Sequence, residues 1–273
     1  MVSLELKDDD FRKIARLIYE RCGINLHEGK KELVKARLGK RLKETGFRSF
    51  ADYYRYVILE EGTDELTAMI DSISTNITSF FREDSHFQKL RAIIPAMIGA
   101  KERDGSAQKL QIWTAGCSTG EEPYSLAITL KEYSVDIKAI ILASDISSKV
   151  LKTAISGVYP EEKLKSISPT ILKRYFQYGC GEWEGYYRIK DEIRKMVQFM
   201  RFNLMETPPP NFLFDIVFCR NVMIYFDKTI QATIVNRFYN CLRDGGYFFV
   251  GHAESLSGLS HAFKYIEPSI YRK

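Results

Sequence analysis

Residues 114–125 read TAGCSTGEEPYS, with glycines at 116 and 120, small residues around them, and two adjacent acids opening a helix-like run. A glycine-rich strand-to-helix turn usually cradles a phosphate, because a helix N-terminus attracts anions. Glu121 and Glu122 would repel a pyrophosphate. The turn is G-x-x-x-G, so it is neither G-x-G-x-x-G nor the G-x-x-x-x-G-K-[ST] phosphate loop. Two carboxylates at that point suit a cationic ligand, an ammonium or a sulfonium. One βα unit further on, Asp145 ends the apolar run AIILASD. An acid there can take the two hydroxyls of a ribose. S-adenosylmethionine carries ammonium, sulfonium and ribose together. The same residues also admit a plainer reading. Asp, Glu and a proline such as Pro123 are ordinary in a first helical turn, and Asp145 can equally N-cap ISSKVLKTAI.

Around this turn the chain alternates short apolar runs with helix-like segments. KLQIWT, AIILASD, FDIVFC and YFFVG read as near-continuous apolar strands, the pattern of a largely parallel sheet covered on both faces. FKYIEPSIYRK reads as a last strand pair. Residues 174–202, rich in glycine and aromatics, break the alternation and read as a small antiparallel β insert. Before about residue 100 the texture is helical. DDDFRKIARLIYERCG has acids at its start, Phe11, Ile14, Ile18 and Cys22 on one stripe, and Gly23 as a stop. KKELVKARLGKRLKETG again ends in glycine, and Ser49 and Thr63 stand as N-cap candidates before the next helices. The expected architecture is an all-helical N-terminal domain over residues 1–85, then a doubly wound α/β domain over 86–273 carrying the β insert. TPPPN at 207–211 precedes a strand and reads as a loop.

Composition narrows the classes. The 273 residues have 45% apolar content and no stretch as long as a membrane span. The first residues lack a secretory pattern. Five scattered cysteines without a C-x-x-C pair point to reduced thiols in a cytoplasmic protein, and the histidines show no ligand spacing, so no metal site is expected. Net charge is +5, all of it in residues 1–50, which hold 13 Lys+Arg against 8 Asp+Glu.

STNITSFFRE, WTAGCSTGEEPYSLAITL, ASDIS, FNLM and FDIVFCRNVMIYFDK occur in this order. Together with GINLHEGKKELVKARLGKRLKETG and GGYFFVGHAESL, they make nearly the whole chain resemble the chemotaxis receptor methyltransferases, the CheR family. The resemblance implies a class I methyltransferase fold. It also implies methyl transfer from S-adenosylmethionine to glutamate side chains of chemoreceptors, leaving S-adenosylhomocysteine. By the same resemblance Asn76, Thr78 and Arg82 line the cofactor site, Glu122 meets the methionine ammonium, and Asp145 the ribose. Asn203 and Leu204 flank the adenine, Arg220 and Asn221 close the pocket, and Arg82 and Tyr225 stand nearest the reacting methyl.

KKELVKARLGKRLK carries seven basic residues and one acid. On a helical projection Lys30, Arg37, Lys40, Arg41 and Lys43 share one broad face. That face is either merely solvated or, as the resemblance implies, turned towards an acidic receptor. In the insert, Gly179, Gly181 and Gly185 have the spacing of family members that bind a receptor's C-terminal pentapeptide; a plain hairpin with glycine turns is the other reading. The expected partners are therefore the cytoplasmic domains of chemoreceptors, with the enzyme a monomer and no nucleic acid bound. Two further classes stay open on the sequence: a nucleic-acid methyltransferase using the basic helix to hold phosphate, and a non-enzymatic adaptor that retains the fold.

Overall fold

The computed structural model describes residues 5–103, 109–134, 137–209 and 212–273. Pro210 and Asn211 of the TPPPN stretch lie outside them.

Helices α1 (Asp8–Cys22), α2 (Lys31–Thr45), α3 (Phe50–Val57) and α4 (Thr63–Ile73) pack around a core of their own that includes Phe11, Ile14, Val34, Leu38, Tyr53 and Met69. Three acids open α1, and Gly23 closes it in the left-handed region at φ 76°, donating its N–H to Tyr19 O. A Cβ at Gly23 would also come within 2.7 Å of Met205 Sδ, so glycine lets this helix end approach the second half of the chain. Ser49 caps α3 by accepting from Asp52 N. Thr63 does not cap: it is the first residue of α4, whose N-cap is Gly62.

The basic face of α2 divides in two. Lys30, Lys40 and Lys43 are exposed. Arg37 and Arg41 are only partly exposed and spend donors on groups of α4, so the single broad solvent face drawn from the projection is divided. Arg41 grips the buried carboxylate of Glu65 through Nε (2.7 Å) and Nη2 (2.6 Å), and Tyr53 Oη donates to the same carboxylate at 2.7 Å. Arg37 donates to the end of α4. The physical reason is burial of Glu65, which in a low-dielectric site needs a cation and hydrogen bonds. Arg41→Ala would leave that carboxylate unpaired at a cost of about 3 kcal/mol. At roughly 2–4 °C per kcal/mol the thermal midpoint should fall by about 10 °C. Lys40→Ala, losing an exposed pair to Glu44, should move it by about 1 °C. Scanning fluorimetry of the two variants checks the contrast.

After α5 (Ser85–Arg103) the chain alternates: β1 (Leu110–Ala115), α6 (Glu121–Tyr133), β2 (Ala139–Asp145) and α7 (Ser148–Ser156). Then follow β3 (Val158–Pro160), α8 (Pro169–Tyr175), β4 (Phe176–Tyr178), β5 (Tyr186–Ile189), α9 (Asp191–Arg194) and β6 (Val197–Arg201). The remainder is β7 (Phe214–Cys219), α10 (Lys228–Cys241), β8 (Leu242–Val250), β9 (Lys264–Glu267) and β10 (Ile270–Arg272). Seven strands form one sheet in the order β6-β2-β1-β7-β8-β10-β9, parallel from β6 to β8 and antiparallel at β10 and β9. Side chains alternate between two apolar layers: Ile112, Ile216 and Phe249 enter one, Trp113, Val217 and Phe248 the other. Burial on both faces is why these strands read as unbroken apolar runs.

The second sheet is β3-β5-β4, all antiparallel. This moves the insert from the expected 174–202 to Val158–Ile189. Val197–Arg201 is instead the parallel edge strand beside β2. Three-residue β3 is too short to give an apolar signal. VQFMR, half-exposed at the edge, continues the texture of the insert before it.

Strand order reverses between β1 and β7, since the chain leaves β1 for β2 on one side and returns to β7 on the other. Open α/β sheets bind ligands beyond the carboxyl ends of their strands at such a switch.

Candidate functional site

A cavity of about 290 Å³ lies at this switch. Gly116 and Ser118 after β1, Asp145 at the end of β2, Phe202 to Leu204 after β6, and Arg220 to Val222 with Ile224 to Phe226 after β7 form one side. Residues 73–79 and Arg82, between α4 and α5, form the other, with Cys22 and Ile24 at the end of α1. The expected Asn76, Thr78, Arg82, Glu122, Asp145, Asn203, Leu204, Arg220, Asn221 and Tyr225 therefore come together from five separate stretches of chain.

The glycine turn is shaped by close packing against Val222 at the cavity wall. Gly116 has φ 84°, and a Cβ there would lie 2.3 Å from Val222 Cγ2. The turn is pinned by Gly116 N and Cys117 N, both donating to Ser144 O at 2.8 and 2.9 Å. Asp145 accepts from Ser118 N at 2.8 Å and Ser147 N at 2.9 Å, which fixes the carboxylate at the cavity wall. It does not cap α7; Ser147 does. Burial raises the Asp145 pKa and these backbone donors oppose the rise.

The two acids of the turn part company. Glu121 is fully buried away from the cavity, accepting from Thr119 Oγ1 at 2.6 Å with Lys163 Nζ 3.7 Å away. Glu122 faces the cavity and accepts from Arg220 Nη1 at 2.9 Å. Burial raises its pKa against the pull of Arg220. Only one carboxylate is thus presented to a ligand's cationic group.

Arg220, whose side chain is 2% exposed, ties the site together. Its Nη2 donates to Glu83 Oε2 at 3.0 Å and to Arg82 O, while the guanidinium stands 5.7 Å over the Phe87 ring. Glu83 also accepts from His252 N at 3.1 Å. Burial would raise the Glu83 pKa, but Arg220 prevails and holds it below the usual carboxylate range. Glu254 plays a similar buttressing part, accepting from Asn221 N (2.8 Å) and Gly251 N (2.7 Å) behind the non-glycine left-handed Asn221 at φ 58°. Asn203 Nδ2 donates to Arg21 O at 2.7 Å, and Asn25 N donates to Tyr225 O at 2.8 Å, so the helical half closes the cavity.

Sequence reasoning missed Glu83 and Glu254 as supports. Both lie inside motifs it singled out, STNITSFFRE and GGYFFVGHAESL, so the signal was present without a role. Glu83, His86 and His252 also bring potential metal-ligand atoms within 4.8 Å of one another. Arg220, 3.0 Å from the same Glu83 oxygen, already supplies the countercharge there, and a dication would have to sit beside a guanidinium. His86, 1% exposed, is held neutral, its pKa lowered to about 3 by burial and by Arg220.

Away from the cavity, Gly179, Gly181 and Gly185 lie in and around the β4–β5 hairpin turn. Gly179 N donates to Tyr186 O at 2.8 Å, and a Cβ on Gly179 would sit 2.2 Å from Trp183 O. Gly181 and Gly185 adopt φ 61° and 81°. Tyr178, Trp183 and Tyr186 are exposed beside them.

Residues 9–74 match the all-alpha domain of the CheR methyltransferases, and residues 76–272 match their SAM-binding domain. Among curated relatives, the chemotaxis protein methyltransferase of Borreliella burgdorferi is 38% identical, covering 100% of this chain and 96% of its own length. Those of Salmonella typhimurium and Escherichia coli are each 40% identical over 98% of this chain and 91% and 92% of theirs. With both family domains matched in order and a glycine turn, Glu122, Asp145 and Arg220 converging at the switch point, the chain belongs to the CheR methyltransferase family.

Proposed function

We propose that this enzyme transfers the methyl group of S-adenosylmethionine to glutamate side chains of bacterial chemoreceptors, giving γ-glutamyl methyl esters for chemotactic adaptation. The observation that carries the reading is the pair of largely buried carboxylates, Glu122 and Asp145, on one cavity wall with Arg82 at the cavity as well. Glu122 would take the cofactor's ammonium, Asp145 its ribose, and Asn203 and Leu204 its adenine. A phosphate-bearing cofactor would meet repulsion at both acids. The split of the α2 basic face, with Arg37 and Arg41 engaged by groups of α4, weighs against a nucleic-acid substrate.

When bound, the cofactor supplies a methyl group on a sulfonium. A glutamate carboxylate is already ionised near pH 7, so no side chain of this protein has to remove a proton. The task left to the chain is alignment. Arg82 can hold a carboxylate by its guanidinium fork, loosely enough that the anion is not stabilised above the transition state. Tyr225 can present a ring face or a hydroxyl to the reacting centre. Incubation with S-adenosylmethionine and a receptor cytoplasmic fragment, followed by peptide mass mapping, should show alkali-labile methyl groups on glutamates. Modification of any other residue type, or none, would overturn the proposal.

The enzyme works as a cytoplasmic monomer at the receptor's cytoplasmic domain. Among the described residues no helix is long and apolar enough to cross a membrane. Of the five basic residues expected on the α2 face, Lys30, Lys40 and Lys43 are the exposed ones that can meet an acidic receptor segment. The insert adds a tether: β4 is an edge strand beside exposed aromatics, a setting for strand addition by a receptor's C-terminal pentapeptide. Trp183→Ala should abolish that binding in calorimetry without changing methylation of tail-less receptors. No binding by the wild type at roughly millimolar peptide would reduce the insert to a structural hairpin.

A further inference from the structure

Residues 74–84 connect α4 to α5 without regular secondary structure, and Ser74, Thr75, Asn76, Thr78 and Arg82 of this strap line the cavity. Its backbone groups have no ladder to satisfy them, so each must find a donor or acceptor elsewhere. Asn76 O accepts from Ser118 Oγ at 3.1 Å, Ile77 O from Arg82 Nη1 at 3.0 Å, and Thr75 O from Tyr225 Oη at 3.4 Å. Where the strap leaves α4, one side chain serves three acceptors. Arg37 Nη1 donates to Ile73 O, to Ser74 O at 3.2 Å and to Thr75 Oγ1 at 3.1 Å.

We infer that Arg37 is a positioning residue for the cofactor site: from helix α2 it caps the C-terminal end of α4 and fixes the direction in which the strap departs. Arg37 does not line the cavity itself. A cation at a helix C-terminus satisfies its orphan carbonyls and complements the dipole, and here the capped carbonyls lie directly before Asn76. If the cap is lost, the first strap residues are free to sample other directions, and Asn76 and Thr78 no longer stand preformed at the cavity. This assigns the Arg37 guanidinium to the end of α4, in contrast to a role as part of a receptor-facing charge patch.

The inference rests on the cavity being the cofactor site, and receptor-free binding separates the two ideas. Calorimetry with S-adenosylhomocysteine alone should show roughly tenfold weaker binding by Arg37→Ala than by wild type. Lys30→Ala and Lys40→Ala should bind as wild type does. Hydrogen exchange of the Ser74 amide, which donates to Ile70 O at 2.9 Å, should quicken in Arg37→Ala while that of β1 and β7 stays unchanged. Arg37→Lys, which keeps the charge and one donating nitrogen on a stem one bond shorter than the one that places Nη1, should fall between, and serves alone if the alanine variant does not fold. Wild-type protein that fails to bind S-adenosylhomocysteine would overturn the cofactor reading. Wild type that binds, with Arg37→Ala or Arg37→Lys binding equally well and losing only receptor methylation, would overturn this inference.

Discussion

Arg220→Met is expected to remove measurable S-adenosylhomocysteine binding and to lower the thermal midpoint by roughly 10 °C. The guanidinium is almost completely buried between Glu83 and Glu122, with both ion pairs at about 3 Å. Removing one partner of a buried pair costs about 3–5 kcal/mol, because the remaining charge has neither water nor a counter-ion. Here two carboxylates lose the same cation. Burial already raises the Glu122 pKa against the opposition of Arg220. Without that opposition Glu122 shifts further towards its neutral form, which cannot attract an ammonium. Scanning fluorimetry and calorimetry measure the two losses. Adding Glu83→Gln to Arg220→Met should restore part of the stability, since it removes one stranded charge. A variant as stable as wild type would show that the two carboxylates do not depend on Arg220.

Arg82→Ala should cut the rate of receptor methylation by roughly a hundredfold and change S-adenosylhomocysteine affinity by no more than about threefold. Its Nη1 donates to Ile77 O, and a guanidinium offers five donors, so the fork can hold a substrate carboxylate as well. No other positive group expected at the reacting end is free of a structural duty, because Arg220 is committed to Glu83 and Glu122. Rates at saturating cofactor, compared with calorimetric affinities, separate the two effects. Equal losses in both would assign Arg82 to cofactor binding alone.

What the sequence made legible follows from where each signal resides. Strands buried on both faces write themselves as unbroken apolar runs, so β1, β2, β7 and β8 were readable. Gly23 and Gly46 stop α1 and α2 in left-handed conformations that glycine adopts freely, so those ends were readable too. The ligand end of the sheet was legible because Gly116 follows β1 and Asp145 ends β2. Other features depend on partners far away in the chain. A helical projection places Arg37 and Arg41 on one face but cannot show that Glu65 and the end of α4 pack against it. Nor can it show which of Glu121 and Glu122 turns inward, since adjacent helical residues diverge by about 100° and the packing of Thr119 and Lys163 decides. Glu83 and Glu254 look like surface acids until Arg220 and the left-handed Asn221 are set beside them. The insert was misplaced because strand pairing across β2 and β6, more than fifty residues apart at Ile141 and Val197, leaves no local trace.

The most direct test of the central claim is a crystal structure of the protein with S-adenosylhomocysteine. The expected complex has the ligand in the cavity between β1, β2 and β7. Its amino group should lie on Glu122, its ribose hydroxyls on Asp145 and its adenine beside Asn203 and Leu204, with Arg220 still paired to Glu83. A ligand bound elsewhere, or one in this cavity whose amino group and ribose touch neither Glu122 nor Asp145, would contradict it.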